Sequence, residues 1–147
     1  MDNNFLISEM CLEDVSQVAE IEAQNFTLPF KEKDFEDIVR ADNQKIIVIK
    51  VGEKIVAQAG IKIIFDEGEI NNVAVRAGYK GLGYGRQVVS SLIEIGDAMG
   101  VNAYTLEVRK SNEKAIRIYE EFGFIVEGER KNFYERPVEN ALIMWRR

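Results

Sequence analysis

Residues 80 to 86 read Lys80-Gly81-Leu82-Gly83-Tyr84-Gly85-Arg86, between a strand-like run at 70–75 and an amphipathic stretch at 86–99. Glycine accepts positive φ and close backbone approach, so the segment fits a tight turn. A strand, such a turn and a helix in that order commit the chain to packing a helix against its own sheet. The same order gathers backbone N–H groups at a helix N-terminus, where the helix dipole adds positive potential. The turn is therefore expected to bind a phosphate-bearing ligand.

The flanking sequence fills in the architecture. Phe5 to Glu9 reads as a short strand, and Leu12 to Asn25 carries Leu12, Val15, Val18, Ala19 and Ile21 at helical spacing. Pro29 breaks that pattern, and Lys31 to Ala41 resumes as a helix with Phe35, Ile38 and Val39 on one side. Strands are expected at Ile46–Val51, Ile55–Phe65 and Glu69–Val75, joined by tight turns into an antiparallel meander. The helix at 86–99 points Val88, Val89, Leu92, Ile93 and Met99 inward, and Gly100 closes it. A strand at Val101–Val108 follows, then a helix to Phe122 capped by Asn112. Phe124–Glu129 and Ala141–Trp145 read as strands, with a polar loop over Arg130–Asn140 between them. The expectation is one α/β domain over residues 1–147. Its sheet is mixed and mostly antiparallel, with a central parallel β-α-β crossover and flanking helices.

Composition excludes several functions. The 147 residues contain no histidine, which removes a Ser-His-Asp triad, a Cys-His pair and any His-ligated metal, and no metal is expected. A general base must then be Asp, Glu, Lys, Tyr or water. The net charge of −6 argues against a nucleic-acid partner and suits a cationic one. There is no apolar run of about 18 residues, so no membrane partner is expected. Met1 to Met10 lacks the pattern of a signal peptide, and the lone Cys11, read as a packing residue, fits a reducing cytoplasm.

Two phosphate-binding fingerprints fit poorly. Gly81 and Gly83 match the start of a dinucleotide G-x-G-x-x-G, but Arg86 takes the third position, where close packing wants no side chain. No Gly-Lys-Ser/Thr follows, which removes a Walker loop. The segment from Lys80 to Gly85 instead resembles motif A of the GNAT superfamily of acetyl-CoA-dependent N-acetyltransferases, Gln/Arg-x-x-Gly-x-Gly/Ala, with lysine at the first position. Leu106-Glu107-Val108-Arg109-Lys110-Ser111-Asn112, followed by Ala115, Ile116, Tyr119, Gly123 and Phe124, is similar to that family's second conserved stretch. Asn72-Val73-Ala74-Val75, Arg130-Lys131-Asn132-Phe133-Tyr134 and Ala141-Leu142-Ile143-Met144 resemble its branch of ribosomal-protein-alanine N-acetyltransferases.

The resemblance implies direct acetyl transfer from acetyl-CoA to an amine, with no metal. The acceptor it implies is a peptide or protein N-terminus, such as that of a small-subunit ribosomal protein. Lys80, Gly81, Leu82, Gly83, Tyr84, Gly85 and Arg86 would hold the pyrophosphate. Val73, Ala74 and Val75 would pair with the pantetheine arm and polarise the thioester carbonyl, and Asn112 would contact the same arm. Glu107 would be the general base and Tyr119 the acid for the leaving thiolate. Each has a plainer reading. Glu107 is also a strand carboxylate within reach of Arg109 or Lys110, Tyr119 a core tyrosine, and Asn112 a helix cap. Two loops, Phe26 to Phe30 and Arg130 to Pro137, are candidates to flank the amine site; Phe30, Phe133 and Tyr134 could wall a narrow slot there, or simply anchor their loops. A small amine (polyamine, amino acid or aminoglycoside) is the alternative acceptor, and a non-catalytic CoA-binding module the alternative function.

Overall fold

The computed structural model describes residues 4–147, so Met1–Asn3 lie outside the described residues. The chain runs β1 (Phe5–Glu9), a 3-10 turn (Leu12–Asp14), α1 (Val15–Asn25), α2 (Glu32–Arg40), β2 (Gln44–Val51), β3 (Lys54–Ile64) and β4 (Glu67–Val75). It continues as α3 (Tyr84–Ala98), β5 (Ala103–Arg109), α4 (Glu113–Glu121), β6 (Ile125–Tyr134) and β7 (Glu139–Arg146). Seven strands form one sheet in the order β1-β2-β3-β4-β5-β7-β6. All neighbours are antiparallel except β4 and β5, the expected parallel crossover.

Alternation along the central strands sorts the core into two layers. Ile47 and Ile49 of β2 and Tyr104, Leu106 and Val108 of β5 pack beneath α3 and α4 with Val88, Val89, Leu92 and Tyr119. Ile46 and Val48 face the other way, onto Val18 and Ile21 of α1 and Phe35 and Ile38 of α2. β3 is buried on both faces through Ile55–Ile61, which explains its nearly unbroken apolar run.

The parallel pair is short. It joins Glu67 to Ala103, Gly68 to Tyr104 and Glu69 to Thr105, and the ladder ends there. On the other side of β4 the register with β3 slips: Gln58 faces Ala74 and Gly60 faces Asn71, two steps along β3 against three along β4. This is a β-bulge, and Asn72 within it sits at φ +54°. Bulges bend the strand and sharpen its twist, and here β4 separates from β5 beyond Glu69.

Four expectations change, the first at Met99, which is exposed rather than inward because α3 ends at Ala98 and leaves it at the cap. Arg130–Tyr134 is not loop but the second half of β6, whose pairing reaches Tyr134–Glu139 after an irregularity. This half-strand is an exposed sheet edge, so its sequence shows no apolar alternation. The first helix opens with a separate 3-10 turn, where Asp14 accepts a hydrogen bond from the Cys11 N–H at 3.0 Å. Cys11 is not a packing residue: it is exposed, and its thiol donates to Asp14 Oδ2 at 3.2 Å. The hydrogen-bonded Asp14 carboxylate pushes the thiol pKa up, which makes it a poorer nucleophile.

Close packing of α3 on the sheet depends on Gly96. A Cβ there would lie 2.8 Å from Cε2 of Tyr104, whose ring is fully buried and whose hydroxyl is fixed 2.9 Å from the Ile93 carbonyl and 2.7 Å from Asp97 Oδ1. Alanine is favoured over glycine in a helix by about 1 kcal/mol. Overpacking a rigid core typically costs about 1–3 kcal/mol, and the ring has no room to yield. With the ring fixed, Gly96→Ala is expected to lower the free energy of unfolding in urea by up to roughly 2 kcal/mol net. Equal or higher stability of the variant would show that the ring moves.

Candidate active site

The gap between β4 and β5 opens into a cleft of about 630 Å³. Its walls come from the diverging strands (Ile70–Val73 and Leu106–Arg109), from Asn112, Ala115 and Tyr119 on the α4 side, and from two loops. Those loops are the α1–α2 connection at Phe26–Leu28 and the β6–β7 hairpin at Phe133–Glu135. Their tips touch, since the Thr27 hydroxyl donates to the Glu135 carbonyl at 3.2 Å.

Alternation on β5 places Glu107 on the opposite face from Leu106 and Val108. Its side chain is about one-quarter exposed, and Oε2 lies 3.1 Å from Arg130 Nε. The angle does not make that contact a hydrogen bond, and the buried Oε2 has no hydrogen-bond partner among the described residues. The partners considered for Glu107 are engaged elsewhere: Arg109 pairs with Glu139 and Lys110 with Glu129. Arg109 also donates to the carbonyls of Pro137 and Glu135 at 2.9 and 3.0 Å, and its guanidinium stacks 4.5 Å from the Tyr134 ring. It thereby fixes the hairpin that walls the cleft.

Tyr119 reaches the cleft from α4, with its ring edge-on to Phe124 at 5.8 Å. Burial, with a smaller contribution from Tyr134, pushes its pKa well above the ordinary phenol value. Tyr134 is pushed up to about 12, chiefly by burial and then by the Glu107 charge. Both rings remain protonated at physiological pH. Asn112 caps α4 by accepting from the Ala115 N–H at 3.2 Å, and it also lines the cleft, so the cap and the site coincide.

The glycine turn lies at the start of α3 rather than in the wall of this cleft. Gly81 and Gly83 have φ of +79° and +92°, with nothing within 4 Å of a Cβ placed on either, so the turn presents bare backbone. Gly83 is the helix N-cap, and the first N–H groups of α3 lack intrahelical partners. Tyr84 contributes backbone only, because its ring is buried against Phe5 and Tyr79. Arg86 binds Glu121 at the far end of α4 through two hydrogen bonds of 2.7 and 3.0 Å, which commits its charge. Lys80 and Leu82 are exposed beside the turn. With the unpaired β4 edge leading from this turn into the cleft, the surface fits an extended ligand that carries a pyrophosphate at one end.

The structure therefore gathers Val73, Glu107, Asn112, Tyr119, Phe133 and Tyr134 into one cleft. Ala74 and Val75 continue the same strand. Ala74 is buried toward α1, and the Val75 carbonyl accepts from Asn25 Nδ2 at 3.0 Å. Phe30 stands apart, its ring 5.7 Å from Phe35 and its N–H donating to Glu22. Phe26 and Leu28 lie in the Phe26–Phe30 loop expected to flank the site, whereas Asn25 and Glu22 are additions from the structure. Glu22 had a legible sign, because it falls in the buried stripe of α1 with Val15, Val18 and Ile21, where a hydrocarbon is expected.

Comparison with known proteins agrees with this geometry. Residues 15–124 match the model of the acetyltransferase (GNAT) family. A relative from Bacillus subtilis (strain 168) is 34% identical over 99% of this chain and 97% of its own length. The [ribosomal protein bS18]-alanine N-acetyltransferase of Escherichia coli (strain K12) is 33% identical, with 94% of each chain covered. The crystal structure of the ribosomal-protein-S18-alanine N-acetyltransferase from Escherichia coli superposes with a TM-score of 0.89 at 30% identity, covering 97% of this chain and 92% of that one. With a shared fold, a full-length match and the splayed-strand cleft, this chain belongs to the GNAT acetyltransferase family.

Proposed function

We propose that residues 1–147 form one N-acetyltransferase domain that transfers acetyl from acetyl-CoA to the N-terminal α-amine of alanine on ribosomal protein bS18. This reading places its work in the cytoplasm. It is carried by the cleft, in which a carboxylate and a buried phenol converge where β4 leaves β5, in a chain similar over its length to enzymes named for that reaction. No helix among the described residues is long and apolar enough to cross a membrane.

In this reading the turn over Gly81–Arg86 receives the pyrophosphate through backbone N–H groups, and Lys80 adds charge beside it. The free edge of β4 at Val73–Val75 and the Asn112 amide receive the pantetheine arm. Acetyl-CoA supplies the acetyl group as a thioester whose C–S bond breaks as the C–N bond forms. An α-amine has a pKa near 8 and is largely protonated at neutral pH. Glu107 takes that proton, directly or through water, with Arg130 beside its carboxylate, and the attacking nitrogen, which carries one proton too many once the C–N bond forms, loses it by the same route. Tyr119 is protonated at neutral pH and donates to the departing sulfur; a proton given up there is replaced by the one lost from the nitrogen. An N–H at Val73 polarises the carbonyl. Phe26, Leu28, Phe133 and Tyr134 wall the amine end.

The deciding assay is CoA-thiol release with a peptide carrying the alanine N-terminus of the host's bS18, beside the same peptide with a blocked N-terminus. Release with the free peptide alone supports α-amine acetylation. Release only with polyamines, amino acids or aminoglycosides would move the acceptor to a small amine, and CoA binding without any turnover would leave a binding module.

Two variants probe the chemistry. Glu107→Gln is expected to lower kcat by roughly a hundredfold at about pH 7 and by less near pH 9, where the amine is already neutral. An unchanged pH–rate profile removes Glu107 as base. Tyr119→Phe is expected to lower kcat about tenfold or more with little change in KM for acetyl-CoA. Wild-type turnover in that variant sinks the acid assignment.

A further inference from the structure

Glu22 is only 2% exposed, lies in the apolar stripe of α1, and has no cation beside it among its hydrogen-bond partners. Those partners are neutral donors from three elements. Oε1 accepts from Gln58 Nε2 of β3 at 3.2 Å. Oε2 accepts both from Asn72 Nδ2 in the β4 bulge at 2.9 Å and from the Phe30 N–H in the α1–α2 loop at 3.2 Å. One carboxylate oxygen thus bridges the bulge and the loop.

Each end of that bridge belongs to a wall of the cleft. Asn72 and Val73 line it on the strand side, and Phe26–Leu28 line it on the acceptor side, in the same connection as Phe30. Asn72 is in the left-handed region, a conformation that asparagine tolerates but that a side-chain tie must hold in place. Asn25, one helical turn beyond Glu22, ties α1 to the Val75 carbonyl beyond the bulge. Burial raises the Glu22 pKa, a cost that a leucine in this stripe would avoid.

We infer that Glu22 is a positioning residue: it locks the β4 bulge to the α1–α2 loop, so that the thioester wall and the amine wall keep one fixed separation. The inference rests on the acetyltransferase reading for its kinetic consequence, but the lock itself does not. Glu22→Gln should preserve it. The amide oxygen can accept from Asn72 and Phe30, and its NH₂ can donate to Gln58 Oε1 after the Gln58 amide turns over. That oxygen is buried and without a hydrogen-bond partner among the described residues. Glu22→Ala removes the lock outright. Asn72→Gly removes it from the other end while keeping the backbone at ease at positive φ.

The test has two arms. Amide hydrogen exchange reads Phe30 in each variant without any acceptor. Steady-state kinetics with the bS18-type alanine peptide read the two KM values separately. Glu22→Ala is expected to speed exchange at Phe30 about tenfold, as loss of a charge-assisted hydrogen bond allows, and Asn72→Gly to speed it less, because Glu22 Oε2 remains as the acceptor. They should lower kcat/KM for the peptide about tenfold while KM for acetyl-CoA stays within about twofold. Glu22→Gln should restore both readouts. Unchanged Phe30 exchange in Glu22→Ala overturns the lock. Faster exchange with wild-type peptide kinetics, or equal losses for both substrates with a lowered Tm, overturns the positioning role. A wild-type protein that ignores the peptide counts against the acceptor reading, and the exchange arm still decides the lock.

Discussion

The site depends on one strand pair failing to continue. β4 and β5 are hydrogen-bonded over three residue pairs and then part. Had the ladder run on to Val75 and Arg109, the sheet would be closed there, with no cleft and no free strand edge. The parting is imposed from the neighbouring strand. β3 is buried on both faces and rigid, so the extra residue is accommodated in β4, at Asn72, and bends that strand away. α3 and α4 then cover the core on one side of the gap, and α1 and α2 on the other.

A gap through a sheet joins two environments that a closed sheet keeps apart. Tyr119 enters from the α3–α4 layer, where burial keeps its phenol protonated. Glu107 stands on the opposite face, partly exposed and beside Arg130. A buried phenol and a partly exposed carboxylate meet along this opening. In the proposed mechanism that separation would give one site a donor and an acceptor of protons without histidine.

Legibility in the sequence followed the range of the interaction. The glycine turn, the α3 stripe and the Asn112 cap rest on contacts within a few residues, and each appears where its local pattern calls for it. The parallel crossover was legible because strand, turn and helix lengths leave few alternatives. Arg130–Tyr134 was not, because an exposed edge strand carries no apolar alternation. Nor was the partner of Glu107, since Arg130 reaches it across an intervening strand while the nearer Arg109 and Lys110 turn to other carboxylates. Glu22 was visible only as an anomaly, a charge in an apolar stripe, whose purpose depends on residues 36 and 50 positions away.

The Thr27–Glu135 contact spans the cleft between its two loops as a single hydroxyl-to-carbonyl hydrogen bond at an exposed position. Such a bond contributes about 1 kcal/mol, enough to keep a roof shut most of the time and too little to keep it shut for long. For the peptide acceptor of the proposed reading, a chain end would pass beneath this contact, whereas a mid-chain segment would need it to break. The roof would thus favour acceptors by topology before any pocket reads their side chains.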